Sequence, residues 1–187
     1  MDTRTRLKAL LVERSVRVGD FTLASGARSS YYVDARRTTM SAEGQALTGK
    51  VCWDALRASG LDFTHVGGLT MGADPVAYAI ARESFDAGDP RDGFSVRKQP
   101  KGHGTGQQVE GGLPHDARCI VVEDSMTSGG SALKAVEILR DYGCTIVGVI
   151  TLVDREEGGQ ERLEEAGLPL VAVYRGAELL EAARAVG

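Results

Sequence analysis

Residues 119–131 read Cys119-Ile-Val-Val-Glu-Asp-Ser-Met-Thr-Ser-Gly-Gly-Ser131, and they predict how the rest of the chain is arranged. The first four residues are apolar and form a run short enough to be a buried parallel strand. Two adjacent carboxylates, Glu123 and Asp124, follow, and then a turn rich in hydroxyl groups. Beyond the turn a helix that stops at Gly143 is predicted by the spacing of Ala132, Ala135, Val136, Leu139 and Tyr142.

The turn between the predicted strand and helix has the chemistry of an anion site. The first N–H groups of a helix have no intrahelical partners, and the helix dipole favours an anion beside them. Gly129 and Gly130 permit positive φ and a close approach of the backbone to a phosphate. The hydroxyl donors of the turn are Thr127, Ser128 and Ser131.

The acidic pair needs a different partner, because Glu123 and Asp124 would repel a phosphate. Carboxylates at the C-terminal end of a strand suit the hydroxyl groups of a ribose, or a divalent cation. A strand–turn–helix connection without a ligand is the alternative, and it would explain any one of these features taken alone. The features together predict a site for a sugar phosphate.

The segment resembles the phosphoribosyl-pyrophosphate (PRPP) signature of the type I phosphoribosyltransferases. The resemblance implies that Glu123 and Asp124 bind the ribose hydroxyls and that the turn from Thr127 to Ser131 surrounds the 5′-phosphate. The chain contains neither G-x-x-x-x-G-K-[ST] nor G-x-G-x-x-G, so a P-loop and a dinucleotide-binding fingerprint are both excluded.

Length and composition limit the possible classes of protein. The 187 residues suit one domain with a full core. The composition is ordinary for a globular protein, with 42% hydrophobic and 26% charged residues. A net charge of −4 gives no general positive field for nucleic acid. No apolar run approaches the roughly 20 residues that span a bilayer. The N-terminus lacks the apolar core of a signal peptide, so we expect a cytoplasmic location and no membrane partner.

The N-terminal residues predict a helix followed by a hairpin. Apolar spacing predicts a helix over residues 3–14, and residues 21–34 predict two strands with a tight turn near Gly26. The pattern F-x-L-x-S-G followed by Y-Y resembles the N-terminal hairpin of orotate phosphoribosyltransferases, which implies a weak contact between Tyr32 and the base. Simple β-propensity is the alternative explanation for the tyrosines. Many family members have Lys where this chain has Ala24.

A second glycine turn follows a short strand predicted at residues 63–69. Thr70, Met71 and Gly72 lead from it into the next predicted helix. In the family the matching loop binds pyrophosphate, and some members have Lys at the position of Met71. The resemblance therefore implies a weak pyrophosphate site that relies on main-chain N–H groups, while an ordinary connection between strand and helix explains the turn equally well.

Residues 99–112 are rich in glycine and polar side chains, and a loop of this length is usually functional or disordered. Cations gather at its start, because Arg97 and Lys98 precede it and Lys101 lies beside His103. A surface charge cluster is the alternative. The string R-K-x-x-K-x-H-G resembles the mobile catalytic loop of orotate phosphoribosyltransferases, which implies catalytic roles for Lys101, His103 and Arg97.

The strand predicted at residues 145–154 ends in the pair Asp154-Arg155. An arginine in that position is normally a surface ion-pair partner. In orotate-specific members an arginine of a matching pair binds the orotate carboxylate, for which a planar guanidinium is well shaped. The resemblance therefore implies an orotate site formed by Arg155, Thr127 and, more weakly, Tyr32.

The order of the elements predicts the fold class. Strands alternate with helices from residue 41 onward, which indicates an α/β protein with a mostly parallel central sheet flanked by helices. Ligands bind such sheets at the C-terminal ends of the strands, where the polar clusters described above are expected. We expect a single phosphoribosyltransferase-like domain over residues 1–187. The resemblance adds a small hood built from about residues 1–40 and 155–187.

These motifs imply an orotate phosphoribosyltransferase, which makes orotidine 5′-monophosphate and pyrophosphate from orotate and PRPP in de novo pyrimidine (UMP) synthesis. The family uses Mg²⁺, bound mainly through PRPP without dedicated protein ligands, and works as a homodimer whose 99–112 loop reaches the neighbouring site. A purine phosphoribosyltransferase and a non-catalytic PRPP-binding regulator are the alternatives. The implied PRPP site comprises Arg97, Lys98, Lys101, His103, Glu123, Asp124, Ser125, Met126, Thr127, Ser128, Gly129, Gly130 and Ser131.

Overall fold

The computed structural model describes residues 1–22, 28–100 and 107–186. The helices in these ranges are α1 (Thr3–Arg14), α2 (Arg36–Thr39), α3 (Ala42–Ser59), α4 (Ala73–Asp86), α5 (Gly130–Tyr142), α6 (Gly159–Glu165) and α7 (Gly176–Val186). The strands are β1 (Val16–Thr22), β2 (Arg28–Val33), β3 (His65–Leu69), β4 (Asp92–Val96), β5 (Val109–Glu110), β6 (Arg118–Met126), β7 (Thr145–Asp154) and β8 (Leu170–Arg175).

Six of the strands form one central sheet in the order β5-β4-β3-β6-β7-β8. Neighbouring strands are parallel except for the β4–β5 pair, which is antiparallel. The predicted α/β class with a mostly parallel sheet is therefore confirmed. β6 lies in the middle of this sheet, so its C-terminal end opens between the ends of β3 and β7.

The central strand β6 is covered on both faces, which explains its continuous apolar sequence. Ile120 and Val122 pack into a core that also contains residues of α1, α3, α4 and α7. Cys119 and Val121 pack into a second core with residues of α5 and α6. The alternation follows because successive side chains of a strand point to opposite faces of the sheet. The strand end that carries the acidic pair is thus fixed by two cores.

The segment 119–131 folds with one change from its predicted layout. β6 continues through Met126, so Glu123 and Asp124 lie within the strand, and Gly130 and Ser131 already belong to α5. Pairing with β7 extends the strand, because hydrogen-bonded register continues as far as Met126 and Asp154. Of the two glycines expected to adopt positive φ, Gly129 alone does so, with a φ of 70°.

The N-terminal segment forms the predicted helix α1 and an antiparallel hairpin of β1 and β2. The first strand starts at Val16 and not at Phe21 as expected, because Val16 pairs with Val33. The hairpin turn expected near Gly26, and Ala24 with it, lie outside the described residues. The two ends of the chain meet, because Tyr174 donates a 2.7 Å hydrogen bond to the Arg4 carbonyl and Lys8 pairs with Glu178 at 3.3 Å. Within the C-terminal part of the predicted hood, β8 belongs to the central sheet.

The segment 99–112 differs from the single loop that its composition predicts. Val109 and Glu110 form β5, because they pair in antiparallel register with the end of β4. Arg97 and Lys98 follow β4, which ends at Val96. Lys101 and His103 lie outside the described residues. In the described ranges, no helix has both the length and the apolar character needed to cross a membrane.

Candidate active site

A cleft of about 770 Å³ opens at the C-terminal ends of the central strands. Residues of β2 form one wall, and the turns after β3, β6 and β7 form the remainder. Most of the residues proposed from the sequence meet in this cleft, namely Tyr32, Thr70, Met71, Gly72, Lys98, Glu123, Asp124, Ser125, Thr127, Ser128, Ser131 and Arg155.

Four of the described sequence-predicted residues do not line the cleft. The Met126 side chain is fully buried in the core beneath the turn, where it packs beside α5. The Arg97 Nε pairs with the Glu110 carboxylate at 2.7 Å, and both side chains line a neighbouring depression. Gly129 supplies the N-terminal cap of α5 and Gly130 is its first residue, and neither lines the cleft wall.

The turn before α5 presents main-chain groups to the cleft. Gly129 has no side chain to cap the helix, so no side-chain oxygen takes up the first N–H groups of α5 at this position. The turn is supported from outside, because Arg162 donates a 2.7 Å hydrogen bond to the Ser128 carbonyl. A Cβ atom at Gly159 would lie 2.6 Å from the Thr127 carbonyl, so α6 approaches this turn very closely. The arrangement is a fixed helix N-terminus, which suits an anion.

The acidic pair beside this turn is buried and incompletely hydrogen-bonded. Burial, together with the charge of Asp124, raises the pKa of Glu123 to about 7, although hydrogen bonds from Ser131 and Ala132 oppose the shift. The Glu123 Oε2 atom is buried and has no hydrogen-bond partner among the described residues. Burial also raises the pKa of Asp124, against the lowering effect of the Ser125 N–H. These carboxylates therefore retain acceptor capacity for hydroxyl donors of a ligand.

The turn after β3 approaches the acidic pair closely. A Cβ atom at Gly72 would lie 2.3 Å from the Asp124 Oδ1 atom, so any larger residue there would displace the Asp124 carboxylate. The peptide bond between Thr70 and Met71 is cis, and the Met71 side chain is exposed. Thr70, Met71 and Gly72 all line the cleft, so this turn forms part of its wall.

Arg155 forms the other end of the cleft and is only 5% exposed. Its guanidinium lies 4.1 Å from the centre of the Tyr31 ring. Its Nη2 atom donates to the Ser29 hydroxyl at 3.0 Å and to the Tyr31 carbonyl at 3.3 Å. The Nε atom is buried without a partner among the described residues. Strand β2 thus holds a cation in the cleft with a free donor, which suits a planar anion.

Sequence reasoning missed three charged residues that line the cleft. Asp34 and Arg36 pair with each other at 2.9 Å, and Glu157 pairs with Arg155 at 3.0 Å. Asp34 and Glu157 each lie two residues from a proposed side chain, Tyr32 and Arg155 respectively, and this proximity is their one signal in the sequence. Arg36 has no such signal. Arg36 faces the acidic pair closely enough to lower the pKa of Asp124, whereas Asp34 raises it.

The described residues contain no group of three or more His, Cys, Asp or Glu side chains that could hold a metal ion. The carboxylate oxygens of the acidic pair are nevertheless hard ligands of the kind that Mg²⁺ accepts. These two carboxylates fit a divalent cation only if the substrate supplies most of the other ligands of that cation.

Comparison with known proteins defines the class. Residues 48–166 match the family described as Phosphoribosyl transferase domain. The orotate phosphoribosyltransferase of Aquifex aeolicus is 46% identical over 180 residues, which cover 95% of this chain and 97% of that protein. That of Rhodopseudomonas palustris (strain BisB5) is 44% identical over 182 residues, covering 95% and 96%. A phosphoribosyltransferase domain thus accounts for both the sheet and the cleft.

Solved structures give the same result. The Mycobacterium tuberculosis H37Rv orotate phosphoribosyltransferase in complex with Fe(III) dicitrate has a TM-score of 0.83 and 42% identity, covering 95% of this chain and 99% of that one. The structure of the same enzyme in complex with PRPP has a TM-score of 0.78 and 40% identity, covering 95% and 99%. The chain belongs to the orotate phosphoribosyltransferase family.

The raised pKa of Glu123 predicts a pH-dependent cost in stability. The folded-state pKa of about 7 exceeds the ordinary value of 4.5, so the unfolded chain loses this proton first. Stability is therefore lost as the pH rises from about 4.5 through about 7. We expect Glu123→Gln to remove this loss and to raise the free energy of unfolding at pH 8 by on the order of 3 kcal/mol relative to the unmodified chain.

The measurement is denaturant unfolding at pH 5 and pH 8, with Glu137→Gln as the control because Glu137 is an exposed carboxylate on α5. At pH 5 the Glu123→Gln variant and the unmodified chain should differ little. An equal effect of Glu123→Gln at both pH values would show that the Glu123 carboxyl titrates normally.

Proposed function

We propose that this chain transfers the 5-phosphoribosyl group of PRPP to orotate, releasing pyrophosphate and forming orotidine 5′-monophosphate. The observation that carries the proposal is one cleft with three separate recognition elements. They are the N-terminus of α5 at Thr127–Ser131, the buried pair Glu123 and Asp124, and the buried cation Arg155. A phosphorylated pentose joined to an anionic base has three matching groups, namely the phosphate, the ribose hydroxyls and the negatively charged group of the base. Membership of the family supports the same assignment.

Each recognition element has one role in the proposal. Main-chain N–H groups and hydroxyls of residues 127–131 bind the 5′-phosphate, because these donors and the helix dipole favour an anion. Glu123 and Asp124 accept hydrogen bonds from the ribose hydroxyls, which fills the acceptor capacity left at Glu123 Oε2. Arg155 binds the orotate carboxylate with the donor at its Nε atom. Thr127 and Tyr32 lie on the cleft wall and complete the base site.

The reaction exchanges one bond at C1 of the ribose for another. The bond from C1 to the pyrophosphate oxygen breaks, and a bond from C1 to the orotate ring nitrogen forms. The proton that this nitrogen loses is taken up by the departing pyrophosphate or by solvent. Positive charge develops on the sugar in such a transfer, and negative charge develops on the leaving group. Lys98 lines the cleft and supplies one cation for the leaving group. Lys101, His103 and Arg97 supply further positive charge in the proposal, and the turn at Thr70–Gly72 contributes main-chain donors.

Mg²⁺ is part of the proposal as a companion of PRPP. When bound, it offsets charge on the pyrophosphate and orients that group. PRPP would supply most of its ligands, and carboxylate oxygens of Glu123 and Asp124 would supply any share that the protein contributes. The protein residues themselves bind and orient the sugar and the base.

The sequence left two alternative activities open. A purine base carries no carboxylate, so it would leave the buried Arg155 Nε donor without an anionic group of the ligand. A non-catalytic PRPP-binding regulator is not favoured either, because all the named relatives above are orotate phosphoribosyltransferases. Turnover of orotate, adenine and hypoxanthine with PRPP and Mg²⁺ compares the enzymatic alternatives directly. We expect orotate alone to be consumed, and consumption of a purine instead would overturn the proposal.

The homodimer and the cytoplasmic location are proposed from the family resemblance. In the proposed dimer, each segment 99–112 completes the site of the neighbouring subunit with Lys101 and His103. The single-domain description with a hood from about residues 1–40 and 155–187 also stays a prediction.

Removing the guanidinium from the cleft should impair orotate binding selectively. We expect Arg155→Ala to raise the orotate KM by about 30-fold or more, because truncating a buried hydrogen-bonded charge costs about 2 kcal/mol or more. The PRPP KM should change much less. Steady-state kinetics with each substrate varied in turn give both values. Arg175→Ala is the control, because it removes an exposed guanidinium from the end of the neighbouring strand β8. Equal effects of Arg155→Ala on both KM values would remove Arg155 from the base site.

Mixing two inactive variants tests the shared sites. Lys101→Ala and Asp124→Asn subunits should each be nearly inactive as pure dimers. A mixed dimer contains one site with both residues intact, so random equal mixing should restore about one quarter of normal activity. The assay is orotate consumption after the two variants are coexpressed. Activity of the mixture that never exceeds that of its parents would mean that each site uses residues of one chain only.

A further inference from the structure

Arg155 has a carboxylate partner that belongs to the protein itself. The Glu157 Oε1 atom lies 3.0 Å from the Arg155 Nη2 atom, and Glu157 lines the same cleft. Of the described residues, no other carboxylate is within ion-pair distance of Arg155. A guanidinium keeps its proton at all physiological pH values, so a buried one needs an anion nearby. Glu157 fulfils that requirement while the base site is empty.

The two members of this ion pair differ in their freedom to move. The Arg155 side chain is 3% exposed and is fixed by the Tyr31 ring and the Ser29 hydroxyl, whereas the Glu157 side chain is 31% exposed. Glu157 is followed by Gly158, which has a φ of 88° and open space around it. The carboxylate of Glu157 can therefore swing toward solvent, and the guanidinium cannot follow it.

The contact also leaves part of the guanidinium unused. Glu157 reaches Nη2 through one oxygen, and the buried Nε atom has no partner among the described residues. A planar carboxylate binds arginine best through two parallel hydrogen bonds. A ligand carboxylate that bonded to Nε and an Nη atom would therefore make a better contact than Glu157 makes. Two carboxylates on one guanidinium repel each other, so the arrival of the ligand favours departure of Glu157.

We propose that Glu157 is an exchangeable internal counter-ion of Arg155, which an anionic base displaces and a neutral base does not. The inference rests on the proposed function and adds a specificity-determining residue to its base site. Without a charge, a base cannot compensate Arg155, so the Glu157 contact persists and the carboxylate side chain stays in the base site. Glu157 thus lowers the affinity for bases that carry their own carboxylate, because such a base must displace it, and leaves the affinity for neutral bases unchanged.

The test is Glu157→Gln, which keeps the size of the side chain and removes its charge. We expect the orotate KM to fall about fivefold, because a partly exposed ion pair no longer competes with the substrate for Arg155. The PRPP KM should stay within about twofold of normal. Inhibition by uracil, which has the same ring without the carboxylate, should also change less than about twofold. Glu161→Gln, an exposed carboxylate on α6, is the charge-matched control and should change none of these values.

Each other result of the Glu157 experiment would overturn the inference. An unchanged or higher orotate KM would mean that Glu157 supports Arg155 during binding and does not compete with the substrate. A parallel fall of the orotate and PRPP KM values would indicate a general effect on the cleft. If Glu157→Gln does not fold, Glu157→Asp is measured instead, and its shorter reach should likewise lower the orotate KM. Absence of orotate consumption by the unmodified chain would instead contradict the proposed function, so the two failures are distinguishable.

Discussion

The N-terminus of α5, where the N-cap residue Gly129 provides no side chain, is the feature on which the rest of the site depends. A helix N-terminus attracts an anion only if it is held rigidly and kept accessible. Here β6 enters the turn from the middle of the sheet, with cores packed on both of its faces. α6 supports the turn from outside, through Arg162 and the close approach of Gly159. These contacts fix the position at which a phosphate would bind.

The charges of the cleft are arranged so that an anionic ligand does not meet uncompensated carboxylates. Glu123 and Asp124 lie next to the proposed phosphate position, where two full negative charges would repel the ligand. Burial raises the pKa of both groups, and that of Glu123 reaches about 7, so the pair carries less than two charges near neutral pH. At the other end of the cleft, Arg155 and its partner Glu157 form a compensated pair. This distribution of charge suits a ligand that carries both anionic groups and hydroxyl groups.

The sequence predicted the parts of the fold that depend on local patterns. The α5 helix and its stop at Gly143, and strand β7 over residues 145–154, were predicted correctly because periodicity and glycine act locally. The full length of β6 was not predicted, because polar residues such as Glu123 remain in a strand only through pairing with β7. β5 was missed for the same reason, since two residues form a strand only against β4.

The site shows a similar limit. The PRPP signature and Arg155 could be identified from motifs, and they meet in one cleft. The sequence groups Arg97 with the cations of the loop, because they are neighbours in the chain. In the structure Arg97 pairs with Glu110, and only the antiparallel contact between β4 and β5 brings these two residues together. Asp34, Arg36 and Glu157 carry no motif of their own. They reach the cleft because the β2 hairpin and the turn after β7 fold against β6, and a single sequence does not encode such contacts in any local pattern.

The most direct test of the central claim is a crystal structure of the chain with orotidine 5′-monophosphate. We expect the 5′-phosphate to lie against the main-chain N–H groups of residues 127–131, and Glu123 and Asp124 to contact the ribose hydroxyls. The carboxylate of the base should lie on Arg155. A nucleotide bound elsewhere, with the turn before α5 free of phosphate, would contradict the account.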